Sequence, residues 1–171
     1  MNKTFRITVI AIAVAFLLYA VYAQHYNIAV YILGGIGYLV WSYFREGTVF
    51  LATQAFHKQD YEKTKRLLDE INNPDQLRKG RRGYYEFMRG NLALKEERID
   101  EAEYHFQLAS RLPWKRDTEK GFVLINLANI ALRKKTYDRA TAYLDLAKKL
   151  KLTARQQTII EKIEVELNTR S

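Results

Sequence analysis

The chain has 171 residues, of which 48% are hydrophobic and 27% are charged, and its formal net charge is +9. This length suffices for one modest domain with an appendage. The absence of cysteine excludes a disulfide framework, a thiolate metal site and a cysteine nucleophile, and the positive net charge favours anionic partners.

The N-terminal quarter of the chain contains almost no charge. From residue 7 to residue 44 there is no Lys, Arg, Asp or Glu, and all 19 acidic residues lie at Glu46 or later. The polar stretch Gln24–Asn27 divides this block into two apolar segments, each close to the roughly 20 residues that a membrane helix needs. Tyrosine and tryptophan lie near the segment ends, as interfacial aromatics do. The pattern predicts a transmembrane hairpin over residues 1–45, with spans at about 5–23 and 27–44.

The basic residues around this block predict its orientation. Lys3 and Arg6 precede the first segment, Arg45 and Lys58 follow the second, and the connection carries no Lys or Arg. By the positive-inside rule, a multi-pass protein of the cell (inner or plasma) membrane with both termini in the cytoplasm is expected. Two alternatives remain open, which are a buried pair of core helices and a cleavable signal peptide that ends near Ala23.

Beyond residue 45 the sequence repeats itself. Three eleven-residue stretches of similar layout, at 61–71, 99–109 and 137–147, each begin 38 residues after the previous one. Apolar residues at helical spacing, broken by short polar turns, predict helices near 46–57, 60–72, 79–95, 99–111, 117–134, 137–150 and 154–168. A fixed period of 20–50 residues built from helix pairs is typical of an α-solenoid.

Small and large residues recur at fixed positions in these helix pairs. The twelve positions are Gly90, Ala102, Phe106 and Ala109 in the middle repeat, Ala128, Ala140, Leu144 and Ala147 in the third, and Ala52, Thr64, Leu68 and Ile71 in the first. This pattern resembles the tetratricopeptide repeat family. The chain departs from the family in its period, which is 38 residues where the family has 34, in lacking the family tryptophan, and in placing alanine at 55, 93 and 131, where the family usually has tyrosine.

The predicted fold is therefore all-α, with the two-helix transmembrane hairpin followed by a tetratricopeptide-like α-solenoid of about three helix pairs and a capping helix. The repeats are predicted at about 46–75, 76–113 and 114–152, and together they cover residues 46–152. The capping helix and tail occupy residues 153–171. An apolar stripe with a glutamate-rich back is typical of a helix that closes a solenoid end.

The resemblance implies a concave face lined by the first helix of each pair, which in this family binds helices or extended peptides. The residues at the corresponding positions are Phe56, Tyr84, Phe87, Asn91, Phe122, Ile125, Asn126 and Asn129. Asn91 and Asn126 match two asparagines with which some members of the family clamp a carboxylate, but Phe87 stands where a lysine is expected, so no such clamp is predicted. The alternative is that this strip packs in the core or in self-association.

Basic residues concentrate in the linkers between the predicted pairs. A basic rim that rests against membrane lipids is predicted at Arg78, Lys79, Arg81, Arg82, Lys115, Arg116, Lys149 and Lys151. The alternative is that lysine and arginine favour helix C-termini and keep the domain in solution.

No residue pattern indicates catalysis. His25, His57 and His105 have no second ligand at metal spacing, so neither a metal nor another cofactor is expected, and the basic groups lack the interleaved aromatics of a nucleic-acid platform. The prediction is a membrane-anchored protein that is not an enzyme. It is expected to act as an adaptor or assembly scaffold for a protein or peptide partner on the cytoplasmic face, and a homo-oligomer is a further expectation. The alternative is a structural subunit of a membrane complex, held through the hairpin and its small residues Gly34 and Gly37.

Overall fold

The structure is a computed structural model that describes residues 3–46 and 48–170, and within these two ranges the regular structure is helical throughout. The helices in chain order are α1 (Lys3–Tyr22), α2 (Tyr26–Glu46), α3 (Val49–His57), α4 (Tyr61–Asp69), α5 (Lys79–Lys95), α6 (Ile99–Arg111), α7 (Asp117–Arg133), α8 (Tyr137–Lys148) and α9 (Ala154–Arg170), and a short 3-10 turn, Pro74–Gln76, precedes α5.

Every helix pair is closed by the same tight turn. Gln59, Glu97 and Lys135 each adopt a left-handed backbone conformation with φ between 58° and 60°. The residue after each of them donates its backbone N–H to an alanine carbonyl five positions earlier, as Asp60 does to Ala55 at 3.0 Å. This is the Schellman arrangement, which satisfies carbonyls at a helix end. Because the three left-handed residues lie 38 positions apart, the period of the sequence is also a period of the backbone.

Lys135→Gly is expected to stabilise the chain by about 0.5–1 kcal/mol. A side chain at a left-handed position costs about 1–2 kcal/mol. Glycine removes this cost, but part of the gain is lost because glycine raises the conformational entropy of the unfolded chain. Arg133→Gly, two residues earlier in the last turn of α7, changes the charge equally but should destabilise by up to about 1 kcal/mol. Urea unfolding of both variants measures the difference. An equal loss in both would show that the turn geometry carries no strain.

α1 and α2 form an antiparallel pair of the same kind. Gln24 at their turn also has a positive φ of 59°, and His25 donates its backbone N–H to the carbonyl of Ala20 at 2.9 Å. Ala20 is buried, whereas the described aromatic side chains of the pair, among them Tyr22 and Tyr31, are strongly exposed. The pair therefore shares its turn with the solenoid but presents apolar side chains outward.

The predicted transmembrane hairpin requires correction. Over the part of the chain that the structure describes, no helix combines the length and the apolar character that a bilayer crossing demands. A crossing needs about 20 consecutive apolar residues, or about 30 Å of helix. Parts of the predicted spans at about 5–23 and 27–44, namely the side chains at residues 5–7, 9–10, 29 and 39–44, lie outside the description. On this finding the two spans are wrong, as is the predicted multi-pass location with cytoplasmic termini.

From α3 onward the helices form a solenoid-like stack. α3 packs against α4, α5 against α6, and α7 against α8. Successive pairs meet where α3 and α4 contact α5, where α6 contacts α7, and where α7 and α8 contact α9. The buried residues form three clusters in series, centred on Leu68, Phe106 and Leu144. Serial cores of this kind are the property of repeat architectures, in which each unit contacts only its neighbours.

The residues that carry the family resemblance occupy the contacts inside the pairs. All twelve positions are buried except Ile71, which is half-buried. At the tightest approach, a Cβ built on Gly90 would lie 2.9 Å from the ring of Phe106. Alanines at 52, 128, 102 and 140 are completely buried and let the paired helices approach closely. The pattern thus explains how each pair is packed.

A charged cluster joins α6 to the third pair. Glu103 accepts hydrogen bonds from Lys134 Nζ at 2.6 Å and from Arg139 Nη2 at 2.7 Å, and its side chain is only 12% exposed. Burial raises the pKa of the Glu103 carboxyl, but the hydrogen bond and charge of Lys134, together with Arg139, outweigh this effect and hold the pKa below its ordinary value.

Because its pKa is lowered in the folded chain, Glu103 contributes stability at neutral pH that is lost as the pH falls. Glu103→Gln is expected to cost about 1 kcal/mol at pH 7. The gap in unfolding free energy between this variant and the parent should shrink as the pH falls below 4.5, the ordinary pKa of glutamate. The gap should vanish once the carboxyl of the folded chain is protonated. Urea unfolding at pH 7, 5, 4 and 3 measures the gap, and Glu161→Gln, an exposed site on α9, should show none. A gap that is independent of pH would contradict this role.

Candidate functional site

A groove runs across the first helices of the three pairs. It encloses about 620 Å³ and is lined by side chains from α3, α5 and α7, together with the linker that follows α6. Its aromatic residues include Phe56 on α3, Phe87 on α5 and Phe122 on α7. One surface therefore draws on all three repeats.

Phe87 connects the groove to the core. Its ring packs edge-on against Phe56 at 6.0 Å, Phe106 at 6.0 Å and Trp114 at 6.3 Å between ring centroids. Phe122 and Phe50, by contrast, are 37% and 49% exposed. The groove thus has a fixed aromatic floor and exposed aromatic edges, a combination that offers contact area without rearrangement of the core.

Two asparagines place hydrogen-bond acceptors in the groove. Asn91 Nδ2 donates to the carbonyl of Phe87 at 2.7 Å, and Asn126 Nδ2 donates to the carbonyl of Phe122 at 2.8 Å. The flipped amide would set two carbonyl oxygens against each other, so this orientation is the favourable one. In both residues the Oδ1 atom is then the acceptor available to a bound N–H group.

A third acceptor stands beside Tyr84. The Tyr84 hydroxyl donates to Glu119 Oε1, and Arg116 Nε donates to the same oxygen at 2.9 Å. Burial and the hydrogen bond to Glu119 raise the pKa of the Tyr84 hydroxyl, which therefore stays protonated as a donor. The other oxygen, Glu119 Oε2, is buried and has no hydrogen-bond partner among the residues that the structure describes. A buried acceptor of this kind is costly until a donor reaches it.

A second cavity, which we call the basic cleft, adjoins the groove. It also encloses about 620 Å³, lies between the start of α5 and the α6–α7 linker, and is lined by Arg78, Lys79, Gly80, Arg81, Tyr84, Pro113, Trp114 and Lys115. None of these described lining residues is acidic. The indole N–H of Trp114 donates to the carbonyl of Ala109 at 2.9 Å, which fixes the ring at the mouth of the cleft.

The groove brings together six of the eight residues predicted for the concave face, namely Phe56, Tyr84, Phe87, Asn91, Phe122 and Asn126. Ile125 is instead buried in the core that α7 shares with α8 and α9, and Asn129 is exposed outside the groove. Nine further residues that line the groove were not among the eight predicted for the concave face, and they include Phe50, Trp114, Arg116 and Glu119. The chain lacks the tryptophan that the repeat family usually carries, and nothing else in the sequence indicated that the linker residue Trp114 lines the groove.

The predicted basic rim is divided. Arg78, Lys79, Arg81 and Lys115 line the basic cleft. Arg82 is engaged by Asp75 and by Glu86, Arg116 is paired with Glu119, and Lys149 and Lys151 are exposed but do not line the cleft. The structure thus brings four of the eight residues together.

Comparison with protein-family models, with curated proteins and with solved structures found no match to this chain. The assignment of a function therefore depends on the geometry of the groove and the cleft.

Proposed function

We propose that this chain is a helical-repeat binding module that holds a segment of another protein in its groove, and so acts as an adaptor or assembly scaffold. The observation that carries the proposal is the groove itself, an aromatic-lined cavity of about 620 Å³ that spans three successive helix pairs. Cavities of this size, mostly apolar and with a few placed polar groups, are typical of binding sites.

The polar groups of the groove favour a peptide segment with unpaired backbone N–H groups. Asn91 Oδ1 and Asn126 Oδ1 are both acceptors, because the Nδ2 atom of each amide is already used as a donor to the backbone. An extended peptide presents N–H donors along its length, whereas the donors of a helix are already used within the helix beyond its first turn. An extended segment with apolar side chains can therefore pack those side chains against the aromatic rings and donate its backbone N–H groups to the acceptors.

The experiment that tests this proposal is a selection of displayed random 12-residue peptides on the full chain. Affinities of the enriched peptides are then measured by fluorescence anisotropy. Phe122→Ala is expected to weaken binding about 30-fold or more, because a central aromatic contact contributes about 2 kcal/mol or more. Leu146→Ala is the matched control, since Leu146 is an exposed apolar residue outside the groove.

Two results would overturn the proposal. One is that no peptide is enriched on the parent chain above the level seen with Phe122→Asp. The other is that Phe122→Ala and Leu146→Ala weaken binding equally, since the peptides would then bind elsewhere. Because Phe122 is one-third exposed, its removal should leave the unfolding free energy within about 1 kcal/mol of the parent.

The exposed apolar side chains of α1 and α2 favour a second candidate, a structural subunit held in a protein assembly through this helix pair. Phe16, Tyr31 and Leu33 are each more than half exposed, and a Cβ built on Gly34 or Gly37 meets no atom within 4 Å. Gly34→Leu with Gly37→Leu is expected to change the size of the assembly in analytical ultracentrifugation. An unchanged size would exclude these glycines from an interface, and the groove peptides should bind this variant as they bind the parent.

A further inference from the structure

We infer that α1 and α2 associate with the same helix pair of a second copy of this chain, so that the two pairs form one four-helix bundle. This inference names the partner that the second candidate function leaves open, and it does not depend on the groove.

The contact between α1 and α2 covers only a narrow stripe of each helix. The buried and half-buried residues of this stripe are Ala13, Leu17 and Ala20 on α1, and Ile32 and Ile36 on α2. Their spacing of three or four residues places them on one face of each helix. From residue 11 onward, every other residue of the two helices whose burial the structure describes is exposed. The outer faces are therefore apolar as well, whereas a helix that is apolar all around is normally buried.

The exposed surface is large enough for a stable dimer. Five aromatic side chains of the pair are each more than half exposed, namely Phe16, Tyr19, Tyr22, Tyr31 and Tyr38. Since an aromatic side chain can bury roughly 200 Å², these five offer on the order of 700 Å². Exposed aliphatic side chains, among them Leu18 and Leu33, add a similar area. One side of the pair, with about half of this total, approaches the roughly 800 Å² that each partner buries in a stable interface.

The distribution of charge favours a second copy as the partner. The chain has a formal net charge of +9, but no Lys, Arg, Asp or Glu lies between residue 7 and residue 44. Two copies that meet through the rest of the chain bring like charges together, whereas two copies that meet through α1 and α2 do not. An ordinary charged protein surface would lose its hydration against these helices without gaining a charged partner. The helix pair of a second copy has no charged groups in this stretch to desolvate.

The pair also carries both the ridge and the recess that two copies need. Val14, Leu18 and Val21 lie at positions i, i+4 and i+7 of α1 and form a ridge of exposed aliphatic side chains. On α2, a Cβ built on Gly34 or Gly37 meets no atom within 4 Å, so these glycines leave a recess. A two-fold axis that places α1 of each copy against α2 of the other packs each ridge into a recess. Fluid lipid chains need no such match, so the shape favours a second copy over a lipid surface.

Sedimentation velocity of the full chain in detergent-free buffer tests the inference. A dimer with twice the chain mass of 20.1 kDa is expected at roughly 10 µM. Leu18→Glu with Leu33→Glu should weaken the dimer about 100-fold or more, because each carboxylate loses its hydration in the apolar contact. Both leucines are more than half exposed in the single chain, so their replacement should leave α1 and α2 paired. Leu146→Glu with Val165→Glu is the matched control, since it replaces exposed apolar residues of α8 and α9 with the same change in charge and should stay dimeric.

A disulfide experiment tests the arrangement of the helices. Because the chain has no cysteine, a chain with only Leu18→Cys can be mixed with a tagged chain that has only Leu33→Cys. Mild oxidation should join the two different chains, since α1 of one copy faces α2 of the other. A mixture of Leu146→Cys with tagged Val165→Cys should give no such product.

Three results would overturn the inference. The first is a parent chain that sediments as a monomer at this concentration. The second is an equal effect of the two glutamate double variants. The third is a parent chain that is monomeric and binds phosphatidylcholine vesicles through Leu18 and Leu33, which would assign the pair to lipid. The groove peptides should bind the Leu18→Glu, Leu33→Glu variant as they bind the parent, so loss of the dimer leaves the proposed peptide binding standing. An absence of enriched peptides with an intact dimer would overturn the peptide binding alone.

Discussion

Phe106→Ala is expected to lower the unfolding free energy by about 3–5 kcal/mol, the range for removal of a buried aromatic ring. Phe106 is completely buried and is the largest of the fully buried side chains in the described chain. It lies at the crossing of α5 and α6, where Gly90 leaves room for the ring. It also packs edge-on against Phe87 on the groove floor. Its loss opens a cavity that the surrounding helices cannot fill.

The measurement is urea unfolding followed by far-ultraviolet circular dichroism. Tyr104→Ala is the matched control, because Tyr104 lies on the same helix but is 59% exposed, and its replacement should cost less than about 1 kcal/mol. Gly90→Ala tests the same contact from the other side. Its new methyl group meets the ring at 2.9 Å and should destabilise by about 1–3 kcal/mol. A small effect of Phe106→Ala would contradict the close packing of the middle pair.

The second large effect is expected at Gln156, whose replacement by alanine should cost about 2–4 kcal/mol. Gln156 is completely buried. Its Oε1 accepts from the backbone N–H of Thr153 at 3.0 Å, and Thr153 Oγ1 accepts in return from the backbone N–H of Gln156 at 3.3 Å, which together form a capping box at the start of α9. Its Nε2 donates to the carbonyl of Thr118 at 2.7 Å and so ties α9 to α7.

The adjacent Gln157→Ala is the control, because Gln157 is exposed. Its replacement should change the unfolding free energy by less than about 0.5 kcal/mol. Gln156→Glu separates the capping contribution from the contact with α7, since the carboxylate keeps the acceptor for Thr153 but removes the donor to Thr118. Equal losses for Gln156→Ala and Gln157→Ala would show that α9 does not depend on this residue.

The helices of the solenoid could be predicted because residues close to each helix end determine where the helix begins and ends. α5 and α6 have the predicted bounds, and α4 and α8 end within three residues of them. The turns are marked by polar residues at a fixed period, and small residues such as Gly90 and Ala102 mark the pair contacts. Local chemistry of this kind does not depend on distant parts of the chain.

The face of α7 could not be predicted in the same way. Leu124, Ile125, Leu127 and Ile130 are all buried, because α7 is covered by α6, α8 and α9 on several sides. A helix that is apolar almost all around has no periodicity that distinguishes groove from core. The family position placed Ile125 in the groove, whereas packing against α8 and α9 buries it.

The remaining errors have two further causes. The α6–α7 linker supplies Trp114 to the groove, and no helical period locates a side chain in a linker. The predicted membrane spans followed from an uncharged run of sequence, a criterion of composition that carries no information about turns or packing. The structure shows an antiparallel helix pair there, with the same left-handed turn as the repeats, but none of the described helices is long and apolar enough to cross a bilayer.

The three cores in series have a mechanical consequence for any occupant of the groove. Phe56, Phe87 and Phe122 belong to different helix pairs, and each pair is joined to the next through a limited contact. The curvature of such a stack is a soft degree of freedom compared with the interior of one pair. A bound segment that contacts all three rings therefore fixes the curvature of the stack. Conversely, a force that bends the stack changes the affinity for the segment.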